Sequence, residues 1–407
     1  MRPAPRSRLG VLILAALVLA AYAWVTQAFF TSRINGGNDF FSRYIAWRAW
    51  LLEGRNPYSD EVTTRIQILI DGRPARPGED ENALIYPWYA VLVQWPFVFM
   101  PWSWARAVYI VVCQVLIIAG LGFTARLLEW RLSPPQLALT AVWAVLFYPE
   151  GRGIILGQIV ITQYFLAVLA LWLMRQRRDG WAGICLALTT VRPPPIFMFI
   201  PFVLAWALAR RRPALAWSFG LTLAALGLAG FLVLPHWLTD WLYRVGRYPN
   251  YTVGESPVWL LTHTALPLGD GWTWALSLIC AGVMLAAWVY ALRQPDSAAF
   301  HWALGVTLVV SDLIVPRSAT TNYIFLLFPT YLIFAATMRR WPRGGAAVVN
   351  AVQLAGLVGL WWLFAATVRG DQEQAIMYLP QPIVIGLVLG LGARWLIRDN
   401  RLAGLSL

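Results

Sequence analysis

The stretch LGVLILAALVLAAYAWVTQAFF, residues 9–30, carries no charged side chain over a length that crosses a hydrocarbon core, roughly 17–25 residues. Arg2, Arg6 and Arg8 precede it, and no small-residue cleavage site stands before Phe29 and Phe30. It reads as an uncleaved anchor helix with its amino end on the arginine side. Working outward, further apolar runs lie near 104–128, 135–149, 158–174, 180–191, 195–209, 214–234, 272–292, 299–315, 323–338, 346–368 and 379–397. With the first, these predict an all-α polytopic membrane protein of about 12 transmembrane helices.

Composition agrees. The chain has 407 residues, 59% hydrophobic and 13% charged, with a mean hydropathy of +0.60, whereas a soluble domain is nearer half apolar and about a quarter charged. A formal charge of +13 and pI of 10.1 would suggest nucleic acid in a soluble protein. Here the arginines sit in short loops between apolar runs, so membrane orientation explains them and no nucleic-acid partner is expected. The clusters Arg175–Arg178, Arg210–Arg212, Arg339–Arg340 and Arg398 with Arg401 all fall on the side of the amino terminus, which the positive-inside rule makes cytoplasmic. All 32 basic residues are arginine, which excludes a lysine nucleophile, a Schiff base and a P-loop lysine. Cys113, Cys185 and Cys280 lie inside apolar runs, and His236, His263 and His301 are scattered. No metal site and no cofactor are expected.

Leu84 to Trp102 is apolar but contains Pro87, Pro96 and Pro101. Counting it as a span would put the later arginine clusters outside, so it reads as a re-entrant or interfacial helix. Residues 1–407 then form a single integral-membrane domain: a first helix at 9–30, an outer loop at 31–103, six helices at 104–234, a second outer loop at 235–271, C-terminal helices at 272–397 and a cytoplasmic tail at 398–407. The two long loops are expected to carry interfacial helices. Eight of the 19 acidic residues fall between 31 and 84, and Asp60, Glu61, Asp71, Glu79, Asp80 and Glu81 read as a solvated loop. The short runs 180–191 and 195–209 predict a tight hairpin broken at Val191-Arg192-Pro193-Pro194-Pro195. An arginine at such a break lies beside a water-filled cavity or an anion more often than against lipid.

From Asn38 to Tyr58, Phe40, Tyr44, Trp47 and Leu51 recur at helical spacing, with Arg43, Arg48 and Arg55 off the stripe. This predicts an amphipathic helix on the outer membrane surface, ended by Gly54. Arg43 and Arg48 read as snorkelling to headgroups. Asp39 stands at the amino end, where an acid is favoured by the helix dipole, so a helix cap and a functional carboxylate are both open here. Glu150 beside Arg152 predicts an ion pair in an outer turn, and Asp312, five residues before Arg317, could orient or neutralise that arginine.

The order of these features resembles glycosyltransferase family 87, polyprenyl-phosphate-mannose-dependent mannosyltransferases of the GT-C fold. The resemblance rests on Asp39 with Tyr44, then Gly54-Arg55-Asn56-Pro57-Tyr58, Tyr86-Pro87-Trp88, Gly157-Gln158-Ile159, Val191-Arg192-Pro193 and Pro316 to Tyr323. It covers roughly residues 10 to 340. Trp88 stands in place of a second proline, Arg192 where lysine is common, and Asn322-Tyr323 where relatives often show histidine. The resemblance implies transfer of a hexose, mannose foremost, from a polyprenyl-phosphate donor to an extracytoplasmic glycolipid or glycan acceptor, and arginine in place of all lysine suggests a bacterial plasma membrane. By the same resemblance Asp39 is the catalytic base. A sugar leaving polyprenyl phosphate departs as a stable anion, so one base suffices and no general acid is needed. Arg192 and Arg317 are then expected to hold the phosphate through bidentate contacts, and Tyr44, Gln158, His263, Asn322 and Tyr323 to contact substrate. A transporter or flippase of an anionic or lipid-linked substrate is the rival reading, weakened because no internal repeat pairs the two halves.

Overall fold

The computed structural model describes residues 5–252, 255–294, 296–316, 318–370 and 373–401, and its regular structure is helical. In chain order the α-helices are α1 (Pro5–Thr26), α2 (Asn38–Glu53), α3 (Asp60–Asp71), α4 (Trp102–Leu127), α5 (Pro134–Leu146), α6 (Tyr148–Leu156), α7 (Val160–Arg175), α8 (Asp179–Thr189) and α9 (Phe199–Ala209). There follow α10 (Pro213–Val233), α11 (Trp237–Arg247), α12 (Pro257–Leu260), α13 (Asp270–Arg293), α14 (Ser297–Ile314), α15 (Leu327–Arg340), α16 (Gly345–Thr367), α17 (Pro380–Leu391) and α18 (Ala393–Arg401).

Among the described residues, seven helices are long and apolar enough to cross a membrane, and up to nine if two bent pairs each count as one span. The first pair, α5 and α6, bends by 56° beside Pro149, which has no N–H to carry the helical ladder onward. The second, the stretch Ala375–Leu391 with α18, bends by 74° at Gly392, a weak helix former. Every expected apolar run lies on a helix, but α7 has 16 residues and α8 and α9 have 11 each, too few to span alone at 1.5 Å per residue. Leu84 to Trp102 is no span. It forms two 3₁₀ turns, Trp88–Val93 and Trp95–Phe99. The outer turn expected around Glu150 is helical, being part of α6.

The chain divides into two compact units, the first comprising Met1–Leu116, Ile154–Ile159 and Leu234–Tyr251 and the second Ile117–Gly153, Val160–Val233 and Thr252–Leu407. In the first, α1 is exposed almost all round, as a lipid-facing helix is. Helix α2 is instead a core element: Phe40, Tyr44, Ile45, Ala46, Trp47 and Ala49 are buried. Trp47 Nε1 donates to Gln94 Oε1 (3.3 Å), Tyr44 Oη to the Met100 carbonyl (2.8 Å) and Arg48 Nη1 to the Val98 carbonyl (2.6 Å). The 3₁₀ segment therefore wraps α2, and only the Leu51 end of the apolar stripe, 38% exposed, is left open.

In the second unit α14 and α15 are the buried centre, whereas α10 and α16 expose apolar side chains. Helix α8 packs on α7 and α10 rather than along α9, because three consecutive prolines cannot continue either helix and set the two apart. Arginines tie the helix ends together at one end of this unit. Arg175 bonds the Leu127 carbonyl (3.2 Å) and Glu129 (2.6 Å), Arg339 the Leu128 carbonyl (2.9 Å), and Arg212 the Asp179 carboxylate (3.0 Å). The arginine clusters thus share one end of the bundle, the pattern that orients a membrane protein.

Candidate active site

Helix α2 begins where the chain turns through Gly36 and Gly37. Gly37 has φ +79° and occupies the cap position, offering no side chain to the first turn. A Cβ there would lie 3.2 Å from Arg106 Nε, and one at Gly36 only 2.8 Å from Arg106 Nη2. The guanidinium of Arg106, 3% exposed, underlies the turn and donates to the Ile34 carbonyl. Asp39 is the second helical residue, so the cap reading does not describe it. Its Oδ2 accepts a hydrogen bond of 2.6 Å from Gln158 Nε2. Among the described residues no cation forms an ion pair with Asp39.

Gln158 reaches Asp39 because the preceding residue is glycine. Gly157 has φ +72°, and a Cβ on it would come within 2.5 Å of Phe40 Cβ. Only glycine permits both the left-handed backbone and the close approach. Its carbonyl accepts from Arg43 Nη2, while Arg43 Nη1 donates to Tyr86 Oη (3.2 Å) with the guanidinium 4.9 Å over the Tyr86 ring. Tyr109 stacks on Phe40 at 4.3 Å and donates to the Gln158 carbonyl (3.3 Å). Tyr58 Oη donates to the Tyr86 carbonyl (2.7 Å). The four segments Asp39, Asn56–Tyr58, Tyr86–Pro87 and Gly157–Gln158 are therefore bonded into one constellation in the first unit.

Several expectations are corrected here. Arg43 does not reach for lipid headgroups, being 1% exposed and fixed by the two bonds just described. Tyr44 is 5% exposed with its hydroxyl engaged on Met100, which makes it a packing residue. The acidic stretch 60–81 is a loop only from residue 72 onward. Residues 60–71 form α3, capped by Ser59 Oγ accepting from the Val62 N–H. Asp60 pairs with Arg244 (2.8 Å), Arg247 with Glu81, and Arg73 with Glu79 (2.7 Å). Arg244 also donates to the Tyr58 carbonyl (2.8 Å), Trp241 to the Ile85 carbonyl (2.9 Å), and Asn56 to Asp240 (2.6 Å). Helix α11 of the second long loop is thereby fastened to the first loop. The Arg73 guanidinium and the Arg76 N–H hold the Glu79 carboxyl down at about 2. Asp80 moves the other way: loss of solvent pushes it up, the Asn82 N–H opposes this, and the charge of Asp39 adds to the rise.

The remaining candidates lie in the second unit. Arg192 follows the end of α8, half-buried, its carbonyl accepting from Gln163 Nε2. His263 stacks on Trp259 (4.3 Å, 7°), and its Nε2 is 3.1 Å from Asp270 Oδ1. Asn322 is fully buried with neither amide atom hydrogen-bonded. Tyr323 is 1% exposed and donates to the Tyr378 carbonyl (2.8 Å). Arg317 lies outside the described residues; Asp312 is buried, and among the described residues neither of its oxygens has a hydrogen-bond partner. The ion pair expected between Glu150 and Arg152 is absent. Glu150 is fully buried, its carboxylate without a hydrogen-bond partner among the described residues, and Arg152 pairs with Glu373. The same Glu373 carboxylate accepts from Tyr148, Thr320 and Tyr378 (3.1 Å).

Sequence reasoning missed Arg43 and Glu373. Arg43 had a signal, standing one helical turn after Asp39. Glu373 had only that of an acid, two residues after Asp371, following an apolar run.

The profile of glycosyltransferase family 87 matches residues 84–316, more than half of the chain. The match includes Tyr86, Gly157–Gln158, Arg192 and His263, begins after Asp39 and ends one residue before Arg317. No curated protein and no solved structure matches the chain. A helical polytopic membrane architecture, together with a match on this scale, places the chain in glycosyltransferase family 87.

Proposed function

We propose that the protein is an inverting glycosyltransferase that moves a hexose, mannose foremost, from a polyprenyl-phosphate donor to a glycolipid or glycan acceptor on the outer side of a bacterial plasma membrane. Membership of the family makes it a membrane glycosyltransferase; donor, sugar, acceptor and orientation are the content of this proposal. The observation that carries it is the Asp39–Gln158 pair. A carboxylate at the head of α2, neither capping the helix nor held by a cation among the described residues, is oriented by a neutral amide.

In the proposed reaction Asp39 takes the proton of an acceptor hydroxyl as that oxygen attacks the anomeric carbon, and the carbon–oxygen bond to the polyprenyl phosphate breaks. The leaving phosphate needs no proton. Arg192 and Arg317 are proposed to hold it as its charge grows. Gln158 positions the base, and Asn322, Tyr323 and His263 are proposed to contact substrate. The rival transport reading has no observation in its favour. The test is discharge of radiolabelled polyprenyl-phosphate mannose by purified protein, with total membrane lipid as acceptor. Asp39→Asn should lower transfer by about 100-fold or more. An inert wild type with mannose, glucose and arabinose donors alike would overturn the donor assignment, and a fully active Asp39→Asn the base.

A further inference from the structure

At the arginine-rich end of the second unit, a recess of 450 Å³ is lined by Arg339, Arg340, Trp341, Arg398 and Asp399. Its charges come from two helices that meet there, α15 ending at Arg340 and α18 turned by 74° from the apolar helix before it. Asp399 lies at the base, 6% exposed. Arg340 Nη1 is 3.6 Å from its Oδ2 and Arg398 Nε 3.3 Å from its Oδ1. Two guanidinium groups thus flank one carboxylate and, with Arg339, leave the recess with net positive charge, the Arg340 and Arg398 side chains being 38% and 65% exposed. Cations at the end of α15 also answer its helix dipole. That does not account for Arg398, which approaches from another helix.

The apolar surroundings indicate where the counter-charge comes from. Trp341 is 51% and Leu391 88% exposed, and the Arg340 guanidinium lies 5.9 Å over Trp341 and 6.0 Å over Trp395. Tryptophan and arginine around an exposed leucine at the end of a span describe the headgroup level of a bilayer. A helix bent this far from its predecessor runs along that level and not through it.

We propose that this recess binds the phosphate of an anionic phospholipid headgroup in the leaflet on the arginine-rich side. Arg340 and Arg398 grip the phosphodiester oxygens in the fork geometry that suits guanidinium, and Trp341 rests against the glycerol and upper chain. Asp399 sets the strength of the site by withholding part of the positive charge. The inference is independent of the sugar-transfer reading, because none of these residues belongs to that constellation.

The full-length protein, purified in neutral detergent, is titrated with short-chain phosphatidylglycerol, short-chain phosphatidylcholine and inorganic phosphate, and bound ligand is counted by native mass spectrometry. Phosphatidylglycerol should bind in preference to both others. Arg340→Gln with Arg398→Gln should weaken it on the order of tenfold. Asp399→Asn should strengthen it, and Arg343→Gln, the same charge change as Arg398→Gln alone but on an exposed residue outside the recess, should leave it unchanged. Should the double variant unfold, Arg398→Gln alone gives the same reading in smaller measure. Equal retention of the two lipids, inorganic phosphate binding as well as lipid, or an unaffected double variant with a wild-type unfolding midpoint each overturns the proposal.

Discussion

Gln158 and Asp39, 119 residues apart in sequence, share a hydrogen bond of 2.6 Å between amide Nε2 and carboxylate Oδ2. A neutral donor fixes the orientation of the carboxylate without adding a charge. Removing it frees Asp39 to rotate. Gln158→Ala is expected to lower the transfer rate by about tenfold, the equivalent of one hydrogen bond of about 1.4 kcal/mol, with the unfolding midpoint nearly unchanged. Gln158→Glu sets a second carboxylate against the first and should do worse than alanine. Steady-state transfer assays on both variants decide it, and full activity in Gln158→Ala removes Gln158 from the mechanism.

Gly157→Ala should be costly for two separable reasons. An alanine at φ +72° pays about 1–2 kcal/mol of backbone strain. Its Cβ would also stand 2.5 Å from Phe40 Cβ, which no side-chain rotation relieves. Gly72 is the internal control, with φ +73° and nothing near its missing Cβ. Thermal unfolding in detergent should show a clear fall for Gly157→Ala and a smaller one for Gly72→Ala. Equal falls would mean that the approach to Phe40 contributes nothing.

What was legible in the sequence follows from the range of the forces concerned. An apolar run is a local signal, and every expected run lies on a helix. Likewise α2 was legible from its own periodicity and from Gly54, which ends it at φ +69°. The bends were not, because a single Pro149 or Gly392 looks like many others that leave a helix intact. Nor was the burial of Arg43. Its place depends on the Gly157 carbonyl and the Tyr86 hydroxyl, groups 114 and 43 residues away. Asp60 and Glu81 misled for the same reason: their partners Arg244 and Arg247 come from the other long loop.

Asp80 gives a pH dependence. Its folded pKa is raised above the ordinary 3.8, first by loss of solvent, so the folded state holds the proton more tightly than the unfolded chain. The associated stability is fully present below the unfolded pKa and is lost as pH rises through the folded one. Asp80 is nonetheless exposed, so solvent screens most of this burden at neutral pH and Asp80→Asn should raise the unfolding midpoint only slightly. The gap between variant and wild type should close as pH falls below about 4. Midpoints measured from pH 8 downward test this, and a gap that widens on acidification reverses the sign. Glu79 behaves oppositely: held at about 2 by Arg73, it contributes stability at neutral pH that is lost as pH falls toward that value, so Glu79→Gln should lie below wild type at neutral pH and approach it on acidification.

Glu373 joins three segments of the second unit, its carboxylate receiving Arg152 and the hydroxyls of Tyr148, Thr320 and Tyr378. Its side chain is 5% exposed and that of Arg152 is 22% exposed. Glu373→Ala leaves a mostly buried guanidinium without its charge partner and should cost about 3–5 kcal/mol. Glu373→Gln keeps one oxygen to accept hydrogen bonds but gives up the charge, so it should cost less, about 1–3 kcal/mol. Because Thr320 opens the turn that carries Asn322 and Tyr323, both variants should also lower transfer, alanine more than glutamine. Arg152→Ala in the Glu373→Ala background should add little further loss, since the charge it would strand is already gone. Unfolding midpoints for the four proteins close this cycle, and additive single losses would show that the two residues act apart.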